Sequence, residues 1–401
     1  MLTFNKRLLA EPNIACPWAE KMILNPAIIQ DPYDKKTLHM LFRSTGSCAD
    51  KQLRHRPLPY PIFLGYAVSN DRGAHWQFDY SRPAMSPALK YEPEELCVSD
   101  IAGNSVINYA NGCIEDPRLF HFENEIYLSA ACRVFPPGPY WEYDCPVQCA
   151  PNWINIIDHG LGRAVIENST VTLLFKVNIE QLSARKYENA FELVCPLHNP
   201  DLSDDRDAFL FPRKLEINGK KKIVCIHRPK HPWKYPGYEH LTAPSIFLAA
   251  GNCLTDFATE NVERHLLAVP ELSWESNRIG ASWAPIELNS GEWLFPYHGK
   301  QNDTVGYTQS FMLLNEQDTG FPEIVSRPTD RLIYPQEKWE LDGDFSIPCI
   351  FSCSGVVDDE RGILMMGCGI ADQKIAMIET SFTELVDYLR QNRYESGESK
   401  V

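Results

Sequence analysis

The sequence predicts an all-β protein, and three observations carry that reading. Strand-sized apolar or alternating runs recur along the chain, helical periodicity is almost absent, and one turn has the spacing of a hairpin motif found in β-propeller blades. The runs are "LHMLFRS", "FLGYAVS", "EIYLSAACRV", "VTLLFKV", "KIVCIHRP", "SIFLAAG", "EWLFPYHG", "QSFMLLN", "GILMMGCGI" and "KIAMIET". They are rich in β-branched and aromatic residues and bounded by Gly, Pro, Asn and Asp. Many short strands without intervening helices fit a sandwich, a barrel or a propeller.

The turn that favours the propeller is "SNDRGAHW", residues 69–76, an Asp-box pattern in which Asp71 ties the turn backbone and Trp76 packs beneath it. The same residues also suit an ordinary Asp/Gly-rich hairpin. Helix is expected only near the end, where Ser381 and Glu384 in "SFTELVDYLRQ" form a capping box ahead of Leu385, Val386 and Leu389. The last residues, "ESGESKV", read as a frayed tail. Two long segments break the strand rhythm, residues 44–61 and 133–164. Loops of that length are functional rims or disorder, and Tyr140, Trp141 and Trp153 are expected either to stack on sugar rings or to pack.

With 401 residues, 44% of them hydrophobic, the chain can bury a large core, but length does not fix the number of domains. A formal charge of −15 excludes a general nucleic-acid or anionic-membrane binder, which needs a broad basic face; any bound anion must meet a local cluster. No stretch approaches the roughly 18 apolar residues of a membrane span, and the start lacks a signal-length apolar run, so a soluble cytoplasmic protein is expected. Thirteen cysteines, many inside apolar runs, suit buried thiols better than disulfides. Cys145 with Cys149, or Cys349 with Cys353, lack the spacing of common zinc sites, and no metal is expected.

The chemistry starts at "CIEDPRLF", residues 113–120. In an extended chain Glu115 and Asp116 point to opposite faces, whereas Asp116 and Arg118 share one, so only one of the two carboxylates is the expected acid. Pro117 biases Asp116 toward β or polyproline geometry. A structural turn whose carboxylates cap backbone amides is the alternative. Farther on, Arg206, His227 with Arg228, Arg278 and His298 each lie beside a strand-like run, and a closed architecture would gather them into an anion site.

Taken in order, "GCIEDPRLF", "DAFLFPRKL", "HRP", "RIGASWAPI", "YHGK" and "GCGIADQKIAMIETSFTELVDYL" resemble successive signatures of glycoside hydrolase family 130, the β-mannoside phosphorylases and related β-mannosidases. "NPAIIQDPYDKKTLHMLFRS" resembles that family's N-terminal segment. The resemblance implies a five-bladed β-propeller with a short C-terminal helix, forming a single catalytic domain over residues 1–401 with a tail from about 391. It implies that Asp116 is the general acid, acting through a mannose hydroxyl, and that Asn25, Arg43, Glu340 and Asp372 hold the mannose ring. Arg206, Arg228, Arg278, His298 and Tyr307 fall on phosphate-binding positions, with inorganic phosphate as co-substrate and no cofactor. The implied partners are a β-mannoside and phosphate, with no nucleic acid and no membrane; a homo-oligomer is compatible with the sequence.

An inverting hydrolase needs a second carboxylate roughly 6.5–9.5 Å from the acid to activate water. A phosphorylase needs one acid and a basic pocket, because its nucleophile is already an anion. One aspartate with three arginines and a histidine is the second pattern. Two departures from the family pattern keep hydrolysis open: Asp207, where asparagine is usual, places a negative charge that could repel phosphate, and Arg278 replaces the usual lysine. Glu239, Glu271 and Glu275 are the candidate bases of a hydrolase. A third alternative is a propeller that binds carbohydrate without cleaving it.

Overall fold

The strand-sized runs pair with their neighbours in the order they occur, so the chain builds a succession of antiparallel meanders. The computed structural model describes residues 2–46, 61–137, 150–155, 161–289, 291–301, 305–343 and 347–392. Meander I is Met22–Gln30, Leu38–Thr45, Ile62–Ser69 and Gln77–Asp79. Meander II is Cys113–Phe122, Glu125–Arg133, Val171–Val177 and Phe191–Pro196, and it joins meander I in one sheet through the parallel pairing of Ile62 with Cys113. Meander III is Asp205–Leu210, Lys220–Pro229, Ile246–Gly251 and Glu263–Ala268. Meander IV is Arg278–Ala281, Glu292–Lys300, Tyr307–Asn315 and Glu323–Ser326. Meander V is Ile350–Asp358, Ile363–Ile370 and Lys374–Ser381, completed by the N-terminal strand Asn5–Ala10. All ten runs singled out in the sequence lie in these strands.

The expected turn forms. Asp71 accepts hydrogen bonds from the His75 amide at 2.8 Å and the Ser69 hydroxyl at 2.8 Å, and Trp76 donates to the Gly73 carbonyl at 3.1 Å. The C-terminal helix runs Phe382–Gln391, with the Ser381 side chain accepting from the Glu384 amide and Leu385, Val386 and Leu389 buried. Trp153 packs: its indole donates to the Tyr91 carbonyl at 2.8 Å and its ring meets Phe135 edge-on. Tyr140, Trp141, Cys145 and Cys149 lie outside the described residues. Cys349 and Cys353 are buried free thiols, and among the described residues no group of His, Cys, Asp and Glu is placed to hold a metal. No described helix is long and apolar enough to cross a membrane.

The first strand of each meander differs from the rest. These strands approach one another: that of meander I lies against those of II and V, and that of III against II and IV. Four of them break register, between Leu24 and Ala27, Glu115 and Arg118, Arg206 and Phe209, and Ser352 and Ser354. Asn25, Asp116 and Asp207 occupy three of these bulges in left-handed backbone, with φ of 47°, 48° and 57°. Asn and Asp are the non-glycine residues that tolerate this region best, and a bulge turns the side chain away from strict alternation. The same local device, repeated around the assembly, therefore aims three polar side chains inward.

Closure of meander V is reinforced by charge. The Lys6 ammonium, on the N-terminal strand, donates to the Tyr334 carbonyl at 2.8 Å and meets the buried Glu340 carboxylate at 2.9 and 3.0 Å. Removing one partner of a buried pair leaves the other uncompensated, which costs roughly 3–5 kcal/mol. Lys6→Ala is expected to lower the thermal midpoint by several degrees, measured by calorimetry, whereas Lys6→Arg should largely restore it.

Candidate active site

Where the bulged strands converge there is a cavity of 270 Å³. Asn25, Arg43, Asp116 and Asp372 line it together with Arg206, Arg228 and Tyr307, so seven of the ten sequence-predicted site residues meet in one place. Asp116 is 8% exposed; its Oδ1 accepts from the Asn25 amide at 2.7 Å and from Arg43 at 3.0 Å. Burial alone would raise its pKa, but Arg43, the Asn25 amide, Arg118 and Arg206 outweigh that and hold the carboxyl below its ordinary value.

Two expectations about "CIEDPRLF" are corrected here. Asp116 is left-handed rather than β or polyproline, and the bulge cancels the alternation across Glu115 and Asp116. Both carboxylates consequently line the cavity and share Arg43, with Glu115 Oε2 at 3.2 Å from its guanidinium and 3.8 Å from that of Arg206. Arg118 does not line the cavity. It is buried behind it, donating to the carbonyls of Asp116 at 3.2 Å and Ser282 at 2.8 Å and to the Asp207 carboxylate.

Asp207 is not an exposed repulsive charge. One oxygen takes Arg118, the other takes Arg228 Nε at 2.5 Å, and His298 Nε2 lies 3.4 Å away. Burial opposes its ionisation, yet Arg228, Arg118 and His298 keep its pKa well below the carboxylate range. His298 is buried behind the cavity, its Nδ1 3.2 Å from the Ser282 hydroxyl and its ring edge-on to Tyr307. Burial lowers the His298 pKa more than Asp207 raises it, so at neutral pH the ring is uncharged. Arg278 lines an adjoining cavity of 210 Å³ together with Arg206 and Arg228, and its Nε is bonded to Asn277.

Glu340 is placed elsewhere. It caps the short helix Lys338–Leu341, with its Oε2 accepting the amides of Gln336 and Glu337 at 2.7 and 2.8 Å, and pairs with Lys6. Its side chain is fully buried, so it has no surface to offer a sugar. None of the three candidate bases lines the cavity. Glu239 is exposed and accepts the Gly237 amide, Glu271 pairs with Arg327, and Glu275 is buried on the amides of Glu271 and Leu272 and on Arg327. The sequence reading missed Glu115, Arg133 and Phe351 as cavity residues. A signal for Glu115 was present in the Asx-Pro pairs at 25–26 and 116–117, which mark equivalent bulges.

Gly280 is held to glycine by the charge cluster. A Cβ there would lie 2.6 Å from Asp207 Oδ2, 2.7 Å from His298 Nε2 and 2.8 Å from Arg228 Nε. Gly280→Ala is expected to displace Arg228 from Asp207 and, as an overpacked buried site, to cost about 1–3 kcal/mol, read by calorimetry as a thermal midpoint lowered by several degrees. Asp372 gives a second expectation. Burial raises its pKa against the pull of Arg43, so the folded state binds its proton more tightly than the unfolded chain does. That contribution to stability is full at acid pH and is lost as pH rises through the folded-state value. Asp372→Asn should therefore raise the thermal midpoint at pH 7 relative to wild type, with the gain shrinking below about pH 4.

Residues 167–391 match the family profile of glycoside hydrolase family 130, described as β-1,4-mannooligosaccharide phosphorylase. A 1,2-β-oligomannan phosphorylase from Thermoanaerobacter sp. (strain X514) is 31% identical over 369 residues, covering 92% of this chain and 93% of that protein. A β-1,4-mannooligosaccharide phosphorylase from Ruminococcus albus is 30% identical over 207 residues, a match that spans about half of each chain, 51% of this one and 57% of the relative. Among solved structures, β-1,2-mannobiose phosphorylase from Listeria innocua superposes with a TM-score of 0.60 at 16% identity, covering 96% of this chain and 93% of the other, which is a likeness of fold. With its profile match over more than half the sequence and a relative aligned almost end to end, the chain belongs to glycoside hydrolase family 130.

Proposed function

We propose that the protein is an inverting β-mannoside phosphorylase and that its five meanders are the blades of a five-bladed β-propeller closed by the Asn5–Ala10 strand. The observation that carries the reaction is the composition of the cavity. Of the four carboxylates that line it, Glu115 and Asp207 are closed by guanidinium groups and Asp372 lies in the field of Arg43, while Asp116 stands among groups suited to a sugar, with Arg206 and Arg228 beside it and Arg278 in the adjoining cavity. The carboxylates considered as bases, Glu239, Glu271 and Glu275, are spent on backbone amides or on Arg327 at other places. An anionic nucleophile makes such a base unnecessary.

In this reading Asn25, Arg43 and Asp372 bind the mannose ring, and Arg206 and Arg228 hold phosphate, with Arg278 and Tyr307 at the margins. His298 acts through Asp207 and Tyr307 rather than by direct contact. A phosphate oxygen bonds to the anomeric carbon while the glycosidic bond breaks toward its oxygen, which takes the Asp116 proton by way of a mannose hydroxyl. Inversion gives α-D-mannose 1-phosphate. Asp116 is ionised in the free enzyme, and an anion bound between Arg206 and Arg228 offsets the positive field that depresses its pKa. Phosphate thus helps to load the acid with its proton, and no cofactor is required.

The direct test is incubation with β-1,2-, β-1,3- and β-1,4-linked mannosides with and without phosphate. Phosphate-dependent release of α-mannose 1-phosphate is expected; free mannose at an equal rate without phosphate would establish hydrolysis instead. Asp116→Asn should lower kcat by about 10²- to 10⁴-fold, the range of a lost general acid. A carbohydrate-binding propeller would show no turnover in either form.

A further inference from the structure

Arg206 and Arg228 face more than the active-site cavity. Those two residues also line the adjoining cavity of 210 Å³, which shares Asp204 and Lys230 with a third cavity of 130 Å³. Arg133 lines both the third cavity and the active-site cavity. The three spaces thus lie side by side with shared lining residues, and the one farthest from Asp116 is bordered by Lys230, Lys234 and Arg163. The Lys230 and Arg163 side chains are 56% and 45% exposed, so this end reaches solvent.

We propose that this basic series is a phosphate passage, separate from the route the sugar takes, by which inorganic phosphate reaches and leaves the active site. The inference rests on the phosphorylase reading. A mannoside seated on Asn25, Arg43 and Asp116 covers the acid's side of the cavity, and an inverting nucleophile must arrive on the opposite face of the anomeric carbon. The Arg206 and Arg228 side is the one that borders the adjoining space. In a chain of net charge −15, a run of cations from Arg163 and Lys234 through Lys230 to Arg228 raises the local concentration of phosphate.

The acidic groups along the run set its strength. Lys230 lies 3.9 Å from Asp204, and Arg163 is bonded to Glu167 at 2.6 Å, with Asp201 also in the wall. Asp204 has one buried oxygen without a hydrogen-bond partner among the described residues. Burial would raise its pKa, but Arg206, Lys230 and Arg133 hold it below its ordinary value. Partial neutralisation of this kind keeps the passage attractive without making it a trap that holds phosphate short of the site.

Lys234 lies outside the catalytic and binding machinery, which makes Lys234→Glu the informative variant. Initial rates are measured at low ionic strength in both directions, with phosphate as the varied anion for phosphorolysis and α-mannose 1-phosphate for synthesis. The expected result is a fall of about 3- to 10-fold in kcat/KM for phosphate, reversed in Lys234→Arg, with kcat/KM for mannose 1-phosphate unchanged because it must come in by the sugar's route. An equal fall for both anions would overturn the passage in favour of a general surface field, and no change for either would overturn it outright. Absence of phosphate-dependent turnover in the unaltered protein would instead refute the phosphorylase reading, and the passage with it.

Discussion

Asp207 is 2% exposed, and its two oxygens are closed by guanidinium groups from two different meanders, Arg118 from the second and Arg228 from its own. A lone carboxylate in that place would cost several kcal/mol of desolvation, so the arginines are held as firmly as the acid is. Arg118 continues to the Ser282 carbonyl of meander IV and the Asp116 carbonyl of meander II. One buried charge thereby fixes the mutual positions of three meanders, and with them the backbone at Asp116 and the guanidinium of Arg228. The absence of a side chain at Gly280 is a condition of that packing.

On the proposed function, the arrangement reconciles an acidic protein with an anionic co-substrate. Asp207 and Glu115 are negative groups beside the arginines of the cavity, yet each is matched by guanidinium: Asp207 by Arg118 and Arg228, Glu115 by Arg43 and Arg206. Bidentate and shared pairing orients planar guanidinium groups more narrowly than solvent would, which is the purpose such carboxylates serve near a ligand. Arg43 touches both Glu115 and Asp116, and Arg206 also meets Glu115, so the two ends of the cavity are coupled through one carboxylate pair.

The outer strands were legible because they obey ordinary rules: apolar, β-branched, bounded by turn residues, as in "VTLLFKV" and "KIAMIET". The first strands were not, because "MILNPAIIQ", "CIEDPRLF" and "DRDAFL" carry prolines, charges and left-handed Asx residues that blur a strand pattern. The motif resemblance named seven residues that the fold gathers around one cavity, whereas their directions were not legible. Alternation put Arg118 beside Asp116 and Glu115 away from it, and a single bulge reversed both assignments. Glu340 failed for a different reason: its own short helix needed a cap, and Lys6, 334 positions away in the chain, needed a partner.

The claim that Asp207 organises the phosphate site rather than repelling phosphate has an outcome opposite to that of simple charge counting. The measurement is calorimetric titration of phosphate into Asp207→Asn, with its fold verified by circular dichroism, beside the unaltered protein. Loss of the carboxylate frees Arg118 and Arg228 from their shared anchor, and phosphate binding should weaken about tenfold or more, the scale on which a lost charge-assisted contact acts. Binding that is unchanged or tighter after removal of the negative charge would contradict the account.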